Sequence, residues 1–192
     1  MPRAACKFPG TPSNSSDIYA TITPSLFTVL STVTVTGLPL TELAHQLLQT
    51  PVQEGDCVID ATAGNGHDSL FLLDRVKAKG RVFSFDIQQA ALKATRELTQ
   101  RHPNADRIEL IHASHAFMER YVPAAYQGGI SAVIFNLGYL PGSDKSIITR
   151  TASTLKALDA ARRLIRTGGV IAVMAYPGHA GGDQETAAVK HW

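Results

Sequence analysis

Between residues 57 and 175, short apolar runs alternate with amphipathic stretches, and this alternation limits the possible folds more than any other feature. The runs Cys57–Ala61, Arg81–Ile87, Ile108–Ala113, Ala132–Leu137 and Val170–Ala175 have strand length and are almost continuously apolar. Strands of that kind are buried on both faces, as in a parallel sheet covered by helices. Helical spacing appears at Leu40, Leu43, Ala44, Leu47 and Leu48, with Thr41 as a candidate N-cap. It recurs over Asp68–Val76, stopped by Gly80, over Gln88–Arg101, and from about Ser146 to Ile165, ended by Gly168 and Gly169. Gly181 to Trp192 begins a further helix. The pattern predicts an α/β, Rossmann-like, doubly wound and mostly parallel sheet. Right-handed crossovers then bring every strand's C-terminal end to one rim, where open α/β sheets bind ligands.

Residues 1–37 differ. They hold twelve Ser/Thr, one acidic residue (Asp17) and prolines at 2, 9, 12 and 24. Such an acid-poor leader reads as a flexible extension or an organellar transit peptide. The β-branched run Leu26–Val35 reads equally as a strand laid against the domain, and both readings stay open. The domain proper is therefore taken as 38–192.

Composition adds exclusions. The chain is 44% apolar and 18% charged, which argues for a packed globular domain over a disordered one. No apolar run reaches the roughly 18–20 residues needed to span a bilayer. A net charge of +2 leaves nucleic-acid contact to local patches. Cys6 and Cys57 stand in unlike settings and outside any CxxC pair, so neither a disulfide nor a metal site is expected. A reducing, cytoplasmic setting is the default.

The first strand runs into Asp60-Ala61-Thr62-Ala63-Gly64-Asn65-Gly66-His67-Asp68. Gly64 and Gly66 allow a sharp bend and close approach of backbone to a ligand. Asp86 ends the second strand, 22 residues beyond Gly64, where a carboxylate can accept two ribose hydroxyls. A dinucleotide fingerprint would place a third glycine at residue 69, which is Ser69. Asp68 at a helix start repels a pyrophosphate and attracts a cation. S-adenosyl-L-methionine fits that turn better than NAD, with its pocket built around Asp60, Gly64, Gly66 and Asp86. Ser114 and His115, at the third strand's end, are candidate adenine contacts; a helix cap and a solvent-facing ring are the structural alternatives.

Five blocks in order, 60–68, Phe-Asp-Ile-Gln at 85–88, Ala-Ser-His at 113–115, Asn-Leu-Gly-Tyr-Leu-Pro-Gly-Ser-Asp-Lys at 136–145 and Tyr-Pro-Gly-His-Ala-Gly-Gly at 176–182, resemble a bacterial family first labelled rRNA methylases. Its members methylate the amine of 5-aminomethyl-2-thiouridine at the tRNA wobble position. The resemblance covers residues 40–192. It implies a class I methyltransferase fold, S-adenosyl-L-methionine as donor, the tRNA anticodon region as acceptor, and Asn65, Asp68, Asp86, Gln88, Ser114 and His115 as donor contacts. Two departures stand out. Ser143 replaces a glycine, and two further strands that would pair beside Val170–Ala175 are missing. That strand is then expected to expose its edge, as a fragment would, or to be covered by a second copy or another partner.

Methyl transfer from a sulfonium needs the nucleophile aligned about 3 Å from the methyl carbon. A protonated amine must first lose a proton to a base, or through desolvation. The candidates are Asn136 and Tyr139 after the fourth strand, Asp144 in the next loop and His179 after the fifth. Asn136 stands where base-modifying methyltransferases commonly hold the acceptor nitrogen, and Tyr139 can stack on a uracil ring. Basic residues in 144–166 (Lys145, Arg150, Lys156, Arg162, Arg163, Arg166) and at Arg75, Lys77, Lys79 and Arg81 are candidate phosphate contacts or solvated helix faces. A methyltransferase acting on rRNA or a small amine, and a non-catalytic donor-binding fragment, are the alternatives.

Overall fold

The computed structural model describes residues 17–22, 29–33, 39–139, 148–178 and 180–192, with backbone alone for the first two stretches. All five expected strands form: β3 (Cys57–Asp60), β4 (Arg81–Asp86), β5 (Ile108–His112), β6 (Ile130–Asn136) and β7 (Ile165–Ala175). Two more precede them, β1 (Asp17–Ile22) and β2 (Val29–Val33). The sheet order is β2-β1-β7-β6-β3-β4-β5. Strands β3 to β7 pair in parallel.

The helices are α1 (Leu40–Gln49), α2 (His67–Val76), α3 (Gln89–Thr99), α4 (Met118–Tyr121), α5 (Thr151–Leu164) and α6 (Gly182–His191). Successive strand residues point to opposite faces, and the core divides accordingly. Val58, Val82, Ile134 and Met174 pack with Leu43 and Leu48 of α1 and Leu72 of α2. Ile59, Phe83, Phe135 and Val173 pack with Met118 of α4, Leu158 of α5 and Val189 of α6. Phe83, Phe85 and Phe135 are wholly buried, each contributing about 3 kcal/mol of apolar burial. Among the described residues, no helix is long and apolar enough to cross a membrane.

Three expectations are corrected. The edge of the fifth parallel strand is not bare: β1 pairs with it antiparallel, from Asp17 opposite Ala175 to Ile22 opposite Val170. A hairpin from ahead of residue 38 therefore fills the place of the missing strands, and β2 becomes the outer strand. That edge calls for no partner. The fifth strand also starts earlier than Val170. Ile165 pairs with Ile130, and the register then slips so that Ala132 faces Val170, leaving Gly168 (φ 75°) in the irregular stretch. Finally, α1 begins at Leu40 behind Pro39, so Thr41 lies in its first turn rather than at its cap.

The position of the ligand rim follows from the order. β3 has sequence neighbour β4 on one side and distant β6 on the other, so the chain reverses its winding between β3 and β6. A crevice opens at such a switch point, outside the strands' carboxyl ends.

Candidate active site

A cavity of about 1090 Å³ occupies that crevice, lined by the loops after β3, β4, β5, β6 and β7 and by Thr41 of α1. Of the residues singled out from sequence, Gly64, Asn65, Asp68, Asp86, Gln88, Ser114, His115, Asn136 and Tyr139 line it. Asp144 and His179 lie outside the described residues.

Asp60 and Gly66 stand behind the wall. The Asp60 carboxylate is wholly buried. One oxygen accepts the Thr62 N–H at 3.1 Å and the other the Ser69 hydroxyl at 2.6 Å, while the hydroxyls of Ser69 and Ser84 lie 2.8 Å apart. Asp60 thus ties the tip of β3 to α2 and β4. Burial, and then the charge of Asp68, push its pKa well above the usual carboxylate range. Gly66 (φ 87°) precedes α2, and a Cβ there would come within 2.7 Å of the Thr95 Cα. Its glycine is demanded by the packing of α2 on α3. Of the two glycines in this turn, Gly64 (φ 53°) is the one that lines the cavity.

Asp86 organises the opposite wall. Its carboxylate accepts the N–H of Gly64 at 3.0 Å and of Gln88 at 2.8 Å, which locks the glycine bend to the tip of β4. Burial raises its pKa, and the hydrogen bonds from Gln88 and Gly64 oppose that rise. Ser114 accepts the Ala116 N–H at 3.3 Å and caps the following turn. His115 is not solvent-facing. It is buried, its Nδ1 stands 3.2 Å from the Ala61 carbonyl, and its ring tilts against Phe135. Burial lowers its pKa to about 4, so it is a neutral wall residue at pH 7.

At the far end of the cavity, Asp68, Asn136 and Tyr139 are joined by two residues absent from the sequence candidates, Tyr176 in the lining and His45 behind it. Asp68 is buried, and its Oδ1 lies 2.6 Å from Nε2 of His45 on α1. The Asn136 amide donates to Asp68 Oδ2 at 3.4 Å, and the Asn136 N–H donates to Thr62 Oγ1 at 2.7 Å. The His45 ring stacks on Phe71, centroids 3.9 Å apart. Tyr176 closes this corner, its hydroxyl pKa raised to about 12 by burial and then by the charge of Asp68. Thr41 and His45 are one helical turn apart on α1, a spacing visible in the sequence. Beyond Asn136, Tyr139 bridges to Ile148, and the Gly138 N–H donates to Thr149 Oγ1 at 2.9 Å. Thr149 and Thr154 both donate to the buried Glu185 carboxylate of α6, at 2.7 and 2.6 Å.

Much of the basic charge is already engaged. Arg163 makes two hydrogen bonds to Glu119, Arg166 meets Asp56 at 3.2 Å, Lys77 meets Glu54, and Arg75 caps the carbonyls of Gln49 and Val52. Arg150, just ahead of α5, lines the cavity.

The chain matches, over residues 82–192, the model of a family described as "Putative rRNA methylase". A Clostridium thermocellum crystal structure of similar description is 40% identical and superposes with a TM-score of 0.76, covering 82% of each chain. A Streptococcus mutans methyltransferase structure, in complex with SAH, is 36% identical with a TM-score of 0.70 over 81% of each chain. An Arabidopsis thaliana protein named tRNA (mnm(5)s(2)U34)-methyltransferase, chloroplastic, is 40% identical over 78% of this chain. The match spans 57% of that relative's own length.

Proposed function

Since the chain belongs to the "Putative rRNA methylase" family and has its fold, we propose that it transfers a methyl group from S-adenosyl-L-methionine to the aminomethyl nitrogen of a modified wobble uridine in tRNA. The observation that carries this reading is a cavity at the switch point that joins both halves of the reaction. One end of it is the Asp86–Gly64 bend, and the other is the Asn136–Tyr139 loop with Asp68 and Tyr176. The SAH complex of the Streptococcus mutans relative supports the donor, and the name of the Arabidopsis relative supports the acceptor.

The residues fit such a donor. Two carboxylates, Asp68 and Asp86, line a cavity in which a cationic, phosphate-free ligand gains from their charge. Asp86 would hold the ribose while keeping Gly64 in its bend, with Gln88, Ser114 and the neutral His115 around the adenine and Asn65 near the amino-acid end. When bound, the donor supplies an electrophilic methyl on a sulfonium. The protein's own task is alignment and exclusion of water. With its amide nitrogen turned to Asp68, Asn136 presents its carbonyl oxygen to an acceptor N–H. Tyr139, 40% exposed at the rim, offers a ring face to a base. Arg150 reaches the cavity mouth, where an acceptor's phosphate would approach. The site of action is any aqueous compartment holding tRNA, the cytoplasm or an organelle. The hairpin pairing of β1 with β7 supports a domain that begins ahead of residue 38.

The experiment is nucleoside mass spectrometry of tRNA carrying 5-aminomethyl-2-thiouridine, incubated with protein and labelled donor. The expected product is the N-methylated nucleoside. Donor binding in calorimetry without any methylated nucleoside would reject the acceptor, and binding of NAD in preference to S-adenosyl-L-methionine would reject the cofactor.

A further inference from the structure

We propose that Asp68 and His45 are the proton-accepting pair for the acceptor amine, with Asp68 the group that touches the amine and His45 the positioning residue behind it. The inference rests on the amine-acceptor reading above and identifies the base that the reading lacks. An aminomethyl group arrives mostly as an ammonium ion at neutral pH. One turnover converts R–CH2–NH3+ and a sulfonium into R–CH2–NH2+–CH3, a thioether and one proton. The amine lone pair forms the new N–C bond, the S–C pair goes to sulfur, and the released proton needs an acceptor beside the nitrogen.

Asp68 is placed for that role. It lines the cavity and is 5% exposed, and its Oδ2 lies 3.4 Å from the amide nitrogen of Asn136, the residue that would align the same acceptor nitrogen. His45 contacts the other oxygen at 2.6 Å and is itself held flat on Phe71, 3.9 Å between ring centroids. Its ring is 23% exposed, so a proton arriving at the pair has a route to solvent. An imidazole bonded to one carboxylate oxygen fixes the carboxylate's plane and stabilises charge on the pair. The other titratable groups facing Asp68 are Asp60 from β3 and Tyr176 from beyond β7. Burial holds Tyr176 protonated at neutral pH, and Asp60 is sealed from the cavity by its bonds to Thr62 and Ser69. Neither can take the proton from a substrate.

The test compares wild type with His45→Ala, His45→Gln and Asp68→Asn, each with folding checked by thermal unfolding. Single-turnover methylation of tRNA bearing 5-aminomethyl-2-thiouridine is followed against pH, beside donor affinity by calorimetry. His45→Ala is expected to keep donor affinity within about threefold, or about 0.65 kcal/mol. Its rate should fall about 100-fold at pH 7 and climb about one log unit per pH unit, as free amine relieves the need for the disabled pair. His45→Gln, which keeps a donor towards Asp68, should recover part of the rate. A His45→Ala variant with the wild-type rate and pH profile, or one that His45→Gln does nothing to rescue, overturns the proposal. A wild-type protein that methylates no such tRNA overturns instead the reading on which it rests.

Discussion

Two buried ionisable groups at the rim, His115 and Asp60, pull stability in opposite directions with pH. In the folded protein His115 titrates at about 4 instead of 6.5, so the unfolded chain takes its proton first. Stability is lost as pH falls from about 6.5 to 4. Asp60 is shifted up, from 3.8 to about 7, so the folded protein keeps a proton that the unfolded chain has released. Its contribution is complete below about 3.8 and lost as pH rises towards 7. Across pH 4 to 6.5 the two slopes oppose each other. His115→Gln removes one of them. Thermal unfolding of that variant should therefore gain on wild type as pH is lowered, by on the order of 3 kcal/mol across the window. A variant whose melting temperature tracks wild type at every pH would show that His115 is not held neutral. On the other wall, Asp86→Ala leaves the Gly64 and Gln88 N–H groups without their acceptor. It should weaken S-adenosyl-L-methionine binding at least tenfold in calorimetry while costing only about 1–2 kcal/mol of stability.

The edge of the sheet decides what happens at the level of elements. β1 is paired on both sides, to β2 and to β7, and Ala20 stands opposite both Ser31 and Ala172. A proline at position 20 cannot donate to either ladder. Ala20→Pro should lower the melting temperature and free the apolar edge of β7 for pairing with another chain. Light scattering should then show association that wild type lacks, and a monodisperse variant with unchanged melting would mean that the hairpin does not guard the edge. The five parallel strands were legible because burial on both faces writes an unbroken apolar run. β1 was not, because its partner β7 lies some 150 residues away, beyond any local pattern, whereas β2 falls within the run Leu26–Val35 that read equally as a strand or as part of a flexible extension. Within the site, the sequence marked the wall at Asp86, Gly64 and Asn136 but put Asp60 and Gly66 in it too. Spacing alone does not distinguish a carboxylate facing a ligand from one facing Ser69, or a glycine yielding to a ligand from one yielding to Thr95. His45 was invisible for the related reason that α1 is distant in sequence from the carboxylate it meets.

At the scale of the whole molecule, the cavity is assembled from two stretches of chain with separate support. The proposed donor wall comes from residues 60–115 and is braced by Asp86. The proposed acceptor loop after β6 is held by a second brace from near the other end of the chain, where Glu185 of α6 receives both Thr149 and Thr154 and Thr149 in turn receives the Gly138 N–H. Glu185→Ala would strand two threonine hydroxyls, that of Thr154 fully buried, at a cost of about 2–4 kcal/mol. It would also release the turn that carries Tyr139. The two braces share no partner, so their effects should be separable. Asp86→Ala should change donor affinity, whereas Glu185→Ala should leave donor affinity near wild type and instead lower kcat/KM for tRNA. In the double variant the two losses of stability should add to within about 0.5 kcal/mol, as they do for sites without common contacts. Strong non-additivity in unfolding, or a matching loss of donor affinity in Glu185→Ala, would mean that the crevice is one cooperative unit and that the acceptor loop cannot be moved without the donor wall.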